Sequence, residues 1–300
     1  MLLFNPSDMI HNNSYVVSLC DYKWGDMLKQ KQTEFRKTIL TLMDTEIYCE
    51  YTLNGKPPLI LIHGFVASSY TFNPIMPLLA QDFSVIAIDL PGFGRSEKSK
   101  HFTYSYENYA KLISECLDYF HFDKITLVGH SMGGQIALYT ARLIPKKIEK
   151  LVLISCSAYL GPSPKRMMIA SHLPFFHLFA KYIVQKNGVK DTLKNVLYDQ
   201  KLVTEELVQE YGRPLEEKDF YKGLVRFLRE REGDLSSEEL KKINHQALLI
   251  WGEADKVVPL KAGKKLATDL PNATLKTYPK TGHLITEERP LDIYHQIKNW

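Results

Sequence analysis

The sequence predicts an α/β fold, a mostly parallel sheet with helices on both faces, interrupted late in the chain by a helical insertion. Three observations carry this. Apolar, β-branched runs too short for helices recur along the chain, and each reads as a strand buried on both faces. Stretches of helical pattern alternate with them, which is the rhythm of a parallel sheet. Residues 157–240 break that rhythm: they hold no convincing strand and are rich in helical, aromatic and Met-containing segments.

Residues 1–35 form an N-terminal extension in which Trp24, Met27, Leu28 and Phe35 fall near one helical face, suited to docking on the chain's own core or touching a membrane surface. The opening "MLLFNPSDMIHNN" has no basic leader and only four residues of apolar run, unlike an ordinary signal peptide. Residues 36–156 are the first part of the core. "RKTILTLMDTEIYCEYTLNG" (36–55) reads as two strands around a turn near Asp44. The buried strands follow in "PLILIHG" (58–64), "FSVIAIDLPG" (83–92), "KITLVGHS" (124–131) and "KLVLIS" (150–155). Helices are predicted in "YSYENYAKLISECLDYF" (104–120) and in "GGQIALYTARLI" (133–144), the latter stopped by Pro145. Residues 157–240 read as a cap over the C-terminal edge of the sheet. Residues 241–300 complete the core, with a strand in "QALLIWG" (246–252) and a final strand before His283.

Composition narrows the function. The chain has 300 residues and 45% hydrophobic content, ample for a buried core. Its 38 Lys and Arg against 34 Asp and Glu are spread along the chain with no basic block, which argues against a nucleic-acid partner. The cysteines Cys20, Cys49, Cys116 and Cys156 lie far apart with no C-x-x-C pair, so no metal site is expected and a reducing cytoplasm fits best. Nowhere do enough apolar residues run together for an integral membrane span, for which about 18 are needed. No cofactor motif is present, and the oligomeric state is left open.

The chemistry centres on "LVGHSMGGQIAL" (127–138), where Ser131 stands between Gly129 and Gly133 at the junction of a predicted strand and helix. A serine on so sharp a turn has a strained backbone, projects its hydroxyl from the sheet edge, and sits at the positive end of a helix, where developing negative charge is favoured. Its hydroxyl is a poor nucleophile at neutral pH and needs a base and a group to orient that base. Asp255 in "WGEADKVVP" and His283 in "YPKTGHLITEERP" supply them in the chain order Ser, Asp, His. Glu253 is the reserve acid, while Glu287 and Glu288 are expected to cap or brace the helix after the histidine. "HGFVASS", directly after a strand, offers an oxyanion hole: the Phe65 N–H faces the Met132 N–H, and the Phe65 ring would line the acyl pocket. His63 and His130 beside these loops, with Met168, Phe175, Phe176 and Phe179 from the insertion, are candidate pocket residues.

From about residue 45 to 300 the chain resembles the α/β hydrolase superfamily, specifically its capped members, through "HGF", "DLPGFGRS", "GHSMGG", "WGEADKVVP" and "GHLITEERP" in order. The resemblance implies an eight-stranded, mostly parallel sheet and a serine hydrolase acting on a small-molecule carboxylic ester. It also implies that "DLPGFGRS" is a structural turn, so Asp89, Arg95 and Ser96 carry no catalytic role. Epoxide hydrolases and haloalkane dehalogenases of this fold place aspartate where Ser131 stands, which disfavours both. Two alternatives remain: a carbon-carbon bond hydrolase of vinylogous diketone acids, with Arg166 or Arg213 holding the substrate carboxylate, and a ligand-binding or signalling protein on the same fold.

Overall fold

The computed structural model describes residues 14–15, 34–186, 188–217 and 219–300. Trp24, Met27, Leu28 and Cys20 lie outside the described residues. A two-residue strand, β1 (Ser14–Tyr15), pairs with β2 (Phe35–Leu42) at the sheet edge. Phe35, grouped by sequence with a helical face, instead opens β2 and is buried in the apolar layer that also holds Leu59 and Leu61.

β2 and β3 (Thr45–Thr52) form the expected antiparallel hairpin. Its two-residue turn places Met43 and Asp44 at φ 49° and 54°, the paired positive values that match the twist of the flanking strands. Then come β4 (Pro58–Ile62), α1 (Met76–Leu79), β5 (Ser84–Ile88), α2 (Tyr106–Tyr119), β6 (Ile125–His130), α3 (Met132–Leu143) and β7 (Ile148–Ile154). Between β7 and β8 the described chain is helical: α4 (Lys165–Ser171), α5 (Phe176–Lys186), α6 (Val189–Val196), α7 (Glu205–Gly212), α8 (Phe220–Glu230) and α9 (Ser237–Leu240). β8 (Gln246–Gly252), α10 (Leu260–Asp269), β9 (Ala273–Tyr278), α11 (Ile285–Glu288) and α12 (Pro290–Lys298) finish it.

The strand order is β1-β2-β3-β5-β4-β6-β7-β8-β9. Eight of these strands, β2 to β9, are five residues or longer and make the expected mostly parallel sheet, antiparallel only through the β2–β3–β5 edge. Alternation along the central strands feeds two cores. Ile60 and Ile62 of β4, and Leu249 and Trp251 of β8, pack with the apolar faces of α2, α3 and α10. Leu59, Leu61, Leu248 and Ile250 point the other way, onto α1, α11 and α12. Each such side chain, removed from water, contributes about 1.5–3 kcal/mol. Helix α2 shows why the sequence pattern works: Ser105 caps it by accepting from the Asn108 N–H at 3.1 Å, and Tyr109, Leu112, Ile113, Cys116 and Leu117 recur on the buried side.

The parallel strands β4, β6, β7 and β8 all end at one edge, so the loops after them converge there. That edge receives the residues singled out by the sequence.

Candidate active site

Ser131 is the residue between β6 and α3, at φ 52° and ψ −118°. A non-glycine residue in that conformation is costly unless its surroundings impose it. Its N–H donates to the Ile154 carbonyl at 2.9 Å, and its carbonyl accepts from Gly134 and Ser157, both at 3.0 Å. The turn closes only because its neighbours are glycines: a Cβ on Gly133 would collide with the Ile62 carbonyl, and one on Gly129 with the backbone of Gly133. The side chain of Ser131 is half-buried, and its hydroxyl makes no hydrogen bond among the described residues. In unliganded sites such bonds are often long and tighten on substrate binding.

The Phe65 loop meets this turn through Gly64. A Cβ there would stand 3.1 Å from Ser131 Cβ and 3.2 Å from His130 Nδ1, so the backbone that carries the Phe65 N–H runs directly beside the turn. Among the described residues neither the Phe65 N–H nor the Met132 N–H is used by another backbone group, as donors held for a ligand must be. The Phe65 ring is about half exposed and packs on Phe93 and Phe227 with centroids 5.8 and 5.3 Å away.

Asp255 and His283 lie on two loops that approach closely because Gly252 has no side chain; a Cβ there would strike the carbonyls of Thr281 and Gly282. The Ala254 N–H also donates to Thr281 O at 3.0 Å. Both side chains are buried, and His283 Nδ1 meets Asp255 Oδ2 at 2.8 Å. The other carboxylate oxygen of Asp255 accepts from the Val257 and Val258 N–H groups at 2.8 and 2.9 Å. Burial pushes the Asp255 pKa up, but the His283 hydrogen bond and charge, with the two backbone N–H groups, outweigh it and hold the carboxyl below its usual range. Glu253, the reserve acid, is exposed and accepts from Thr277 Oγ1 at 2.9 Å, away from the histidine.

The other candidates sort clearly. His63 is wholly buried and does not line a pocket: its Nδ1 meets the Gly64 carbonyl at 2.7 Å, and its Nε2 accepts from the Leu90 N–H at 2.9 Å. The ring is therefore neutral with the proton on Nδ1, and burial lowers its pKa. His130 is also buried. Its Nε2 donates to the His283 carbonyl at 3.0 Å and the two rings lie 4.9 Å apart, so it braces the histidine loop. Burial, then the charge of His283, pushes its pKa down to about 3. Phe175 and Phe179 are a further correction. They are 73% and 53% exposed, because the inner faces of α4 and α5 rest on α8 and these rings fall outside. Met168 and Phe176 are half-buried, with Phe176 packed against Phe179 at 5.6 Å.

In the "DLPGFGRS" turn, Asp89 accepts from the Ser69 and Arg95 N–H groups, both at 2.6 Å, a structural use of a buried carboxylate. Arg166 is exposed on α4, and Arg213 sits 3.6 Å from Glu210 and 3.8 Å from Glu217.

One residue has a larger part than its sequence suggests. Glu288 does more than brace the helix after the histidine: it accepts from the Gly282 N–H at 2.6 Å and from the Tyr198 and Asp199 N–H groups at 3.0 Å each. The His283 N–H donates to the Val196 carbonyl at 2.7 Å. The loop of His283 is thereby tied to the end of α6, a contact between segments far apart in the chain that no local pattern signals.

A glycine-bound serine turn at the edge of a parallel sheet, with an Asp–His pair beside it, is accompanied by a sequence-family match: the family described as alpha/beta hydrolase fold covers residues 57–290. The chain belongs to that family. This hydrolase is 45% identical over 261 residues to an uncharacterized hydrolase, YugF, of Bacillus subtilis strain 168, a match spanning 87% of this chain and 96% of the relative. It is 26% identical over 264 residues to a 2-hydroxy-6-oxononadienedioate/2-hydroxy-6-oxononatrienedioate hydrolase of Cupriavidus pinatubonensis, spanning 85% and 87% of the two chains. Among solved structures, a meta-cleavage product hydrolase of Pseudomonas fluorescens IP01 aligns with a TM-score of 0.72 at 22% identity, covering 87% of this hydrolase and 96% of that chain. At that identity the likeness is one of fold.

Proposed function

We propose that this hydrolase cleaves carboxylic esters of small to medium apolar substrates through an acyl-enzyme, with Ser131 as nucleophile, His283 as general base and acid, and Asp255 as the group that orients the imidazole. The observation that carries the reading is the 2.8 Å contact of His283 Nδ1 with Asp255 Oδ2, which fixes the proton on Nδ1 and leaves Nε2 free to accept one. Ser131 Oγ then bonds to the ester carbonyl carbon as its proton passes to His283 Nε2. The carbonyl electron pair moves onto oxygen, where the N–H groups of Phe65 and Met132 stabilise it. Collapse breaks the bond to the alcohol, which leaves with the proton from His283. Water attacks the acyl carbon, gives its proton to His283, and the acid departs as Ser131 regains its proton.

Residues 157–240 serve in this reading as the cap over the substrate, with the half-exposed Phe65 ring, backed by Phe93 and Phe227, as apolar lining. Cys49, Cys116 and Cys156 are buried free thiols, which suits a reducing cytoplasm. Turnover of nitrophenyl esters of graded chain length tests the reading. Ser131→Ala is expected to lower kcat by about 10⁴-fold or more, and equal rates for parent and variant would refute it.

Cleavage of vinylogous diketone acids is the second reading, favoured by the Cupriavidus relative's named activity. It calls for a cation free to hold the substrate carboxylate: Arg213 already faces two carboxylates, whereas Arg166, exposed on α4, has no ion pair among the described residues. Loss of diketone absorbance on incubation with the protein, without ester turnover, would select this reading. Labelling of Ser131 by a fluorophosphonate separates both from a purely ligand-binding role.

A further inference from the structure

Sixteen large hydrophobic side chains are strongly exposed among the described residues, and eight of them fall within residues 167–183. Ile169 and Phe175 are each 73% exposed, Leu173 63%, Tyr182 62%, and Leu178 and Phe179 53%. They belong to α4, α5 and the turn joining them, and the two helices are bent against each other by 116°. The opposite side of this pair rests on α8, where Ser171 Oγ accepts from Arg229 Nε at 2.9 Å and Lys181 Nζ lies 5.8 Å from the Tyr221 ring centre. No residue of α5 is buried. Single exposed apolar side chains are ordinary, but a contiguous face of this kind marks an interaction surface.

The charge carried by this stretch of the chain is one-sided. From residue 157 to 190 the sequence has no Asp or Glu. Lys165, Arg166 and Lys186 frame the apolar residues, and among the described residues none of the three takes part in an ion pair; the first pair beyond them joins Lys190 to Glu205. A second copy of the face would bring like charges together. A negatively charged partner with an apolar interior would satisfy both properties at once.

We propose that the outer face of α4 and α5 docks on the surface of an anionic lipid bilayer, with Ile169, Leu173, Phe175, Leu178 and Phe179 entering the acyl boundary and Lys165, Arg166 and Lys186 in the headgroup layer. The helices lie on the membrane and do not span it: their seven and eleven residues extend about 10 and 16 Å, against about 30 Å of hydrocarbon. Basic residues flanking a buried apolar strip are the pattern of interfacial helices, and each cation near an anionic surface strengthens attachment. The proposal does not depend on the ester reading.

Flotation of the full chain with vesicles tests it. Binding to vesicles of phosphatidylcholine mixed with phosphatidylglycerol is expected to exceed binding to phosphatidylcholine alone by about tenfold or more and to fall as salt is added. The triple variant Ile169→Ser, Leu173→Ser, Leu178→Ser and, separately, Lys165→Glu with Arg166→Glu are each expected to lower binding to the mixed vesicles by about tenfold or more. Circular dichroism and melting curves matching the parent keep loss of folding out of the comparison. Absence of binding by the parent, or undiminished binding by both variants, overturns the proposal. So does a dimer, seen by light scattering, that the triple variant disperses without any vesicle binding, since the face would then belong to a second copy.

Discussion

The loops that hold Asp255 and His283 and the helices α4 and α5 are both surface segments joined to the same sheet, yet they are held by opposite means. In the loops the Asp255 and His283 side chains are buried and hydrogen-bonded to each other, backbone groups cross-link the two loops, and Gly252 lets the backbones pass at contact distance. In α4 and α5 one side rests on α8 while large apolar groups on the other face outward. In the proposed reaction the first region serves a proton transfer, so it is expected to tolerate almost no change of shape. On the proposed docking role, the second is expected to tolerate changes of shape but not of surface character.

Substitutions can break or sharpen this contrast. The largest effect is expected from Asp255→Asn, about 10⁴-fold in kcat, because an amide in place of the carboxylate permits the wrong imidazole tautomer; steady-state kinetics measures it. The same variant should change acid unfolding. The Asp255 carboxyl is held below its usual range in the folded state, so its stabilisation is full above the ordinary carboxylate pKa and is lost as pH falls through the folded value. The amide does not titrate, so the substitution removes that portion of the pH dependence, which urea titration at several pH values detects.

Gly133→Ala comes next, with an expected loss of about 3 kcal/mol in denaturant unfolding, because the new Cβ would collide with the Ile62 carbonyl. Glu288→Ala leaves three backbone N–H groups without their acceptor and is expected to cost about 1–3 kcal/mol, with kcat falling as the His283 loop loosens. At the other end of the scale, Ile169→Ser should shift stability by no more than about 0.5 kcal/mol, since the side chain touches mostly solvent. If Ile169→Ser destabilised the protein as much as Gly133→Ala, the contrast between the regions would fail.

Much of the core can be read in advance because its elements are written locally. A buried strand of five to seven residues declares itself by composition, as in "PLILI" and "QALLIWG", and the serine turn declares itself by the glycines it requires. The Asp–His pair follows from order along the chain together with the chemistry a serine needs. The insertion is different. Helical periodicity in "KRMMIASHLPFFHLFAKYIV" identifies helices with apolar faces, but it does not say which side meets α8, so the pattern points Phe175 and Phe179 inward although they face out. His63 reads as a pocket residue because it adjoins the Phe65 loop; burial and two hydrogen bonds instead make it a clamp between strand ends. The reach of Glu288 is not legible at all, since its partners Tyr198 and Asp199 come near only when the insertion folds back.

The bond from the His283 N–H to the Val196 carbonyl bears on how such proteins are re-engineered by exchanging parts. A graft that replaced the insertion with one from a relative, intending only a new substrate range, would also remove a peg on which the His283 loop hangs. Chimeras that keep Val196 through Asp199 and replace the helices on either side would separate the two roles, letting the recognition surface be rebuilt while the proton-transfer geometry stays fastened.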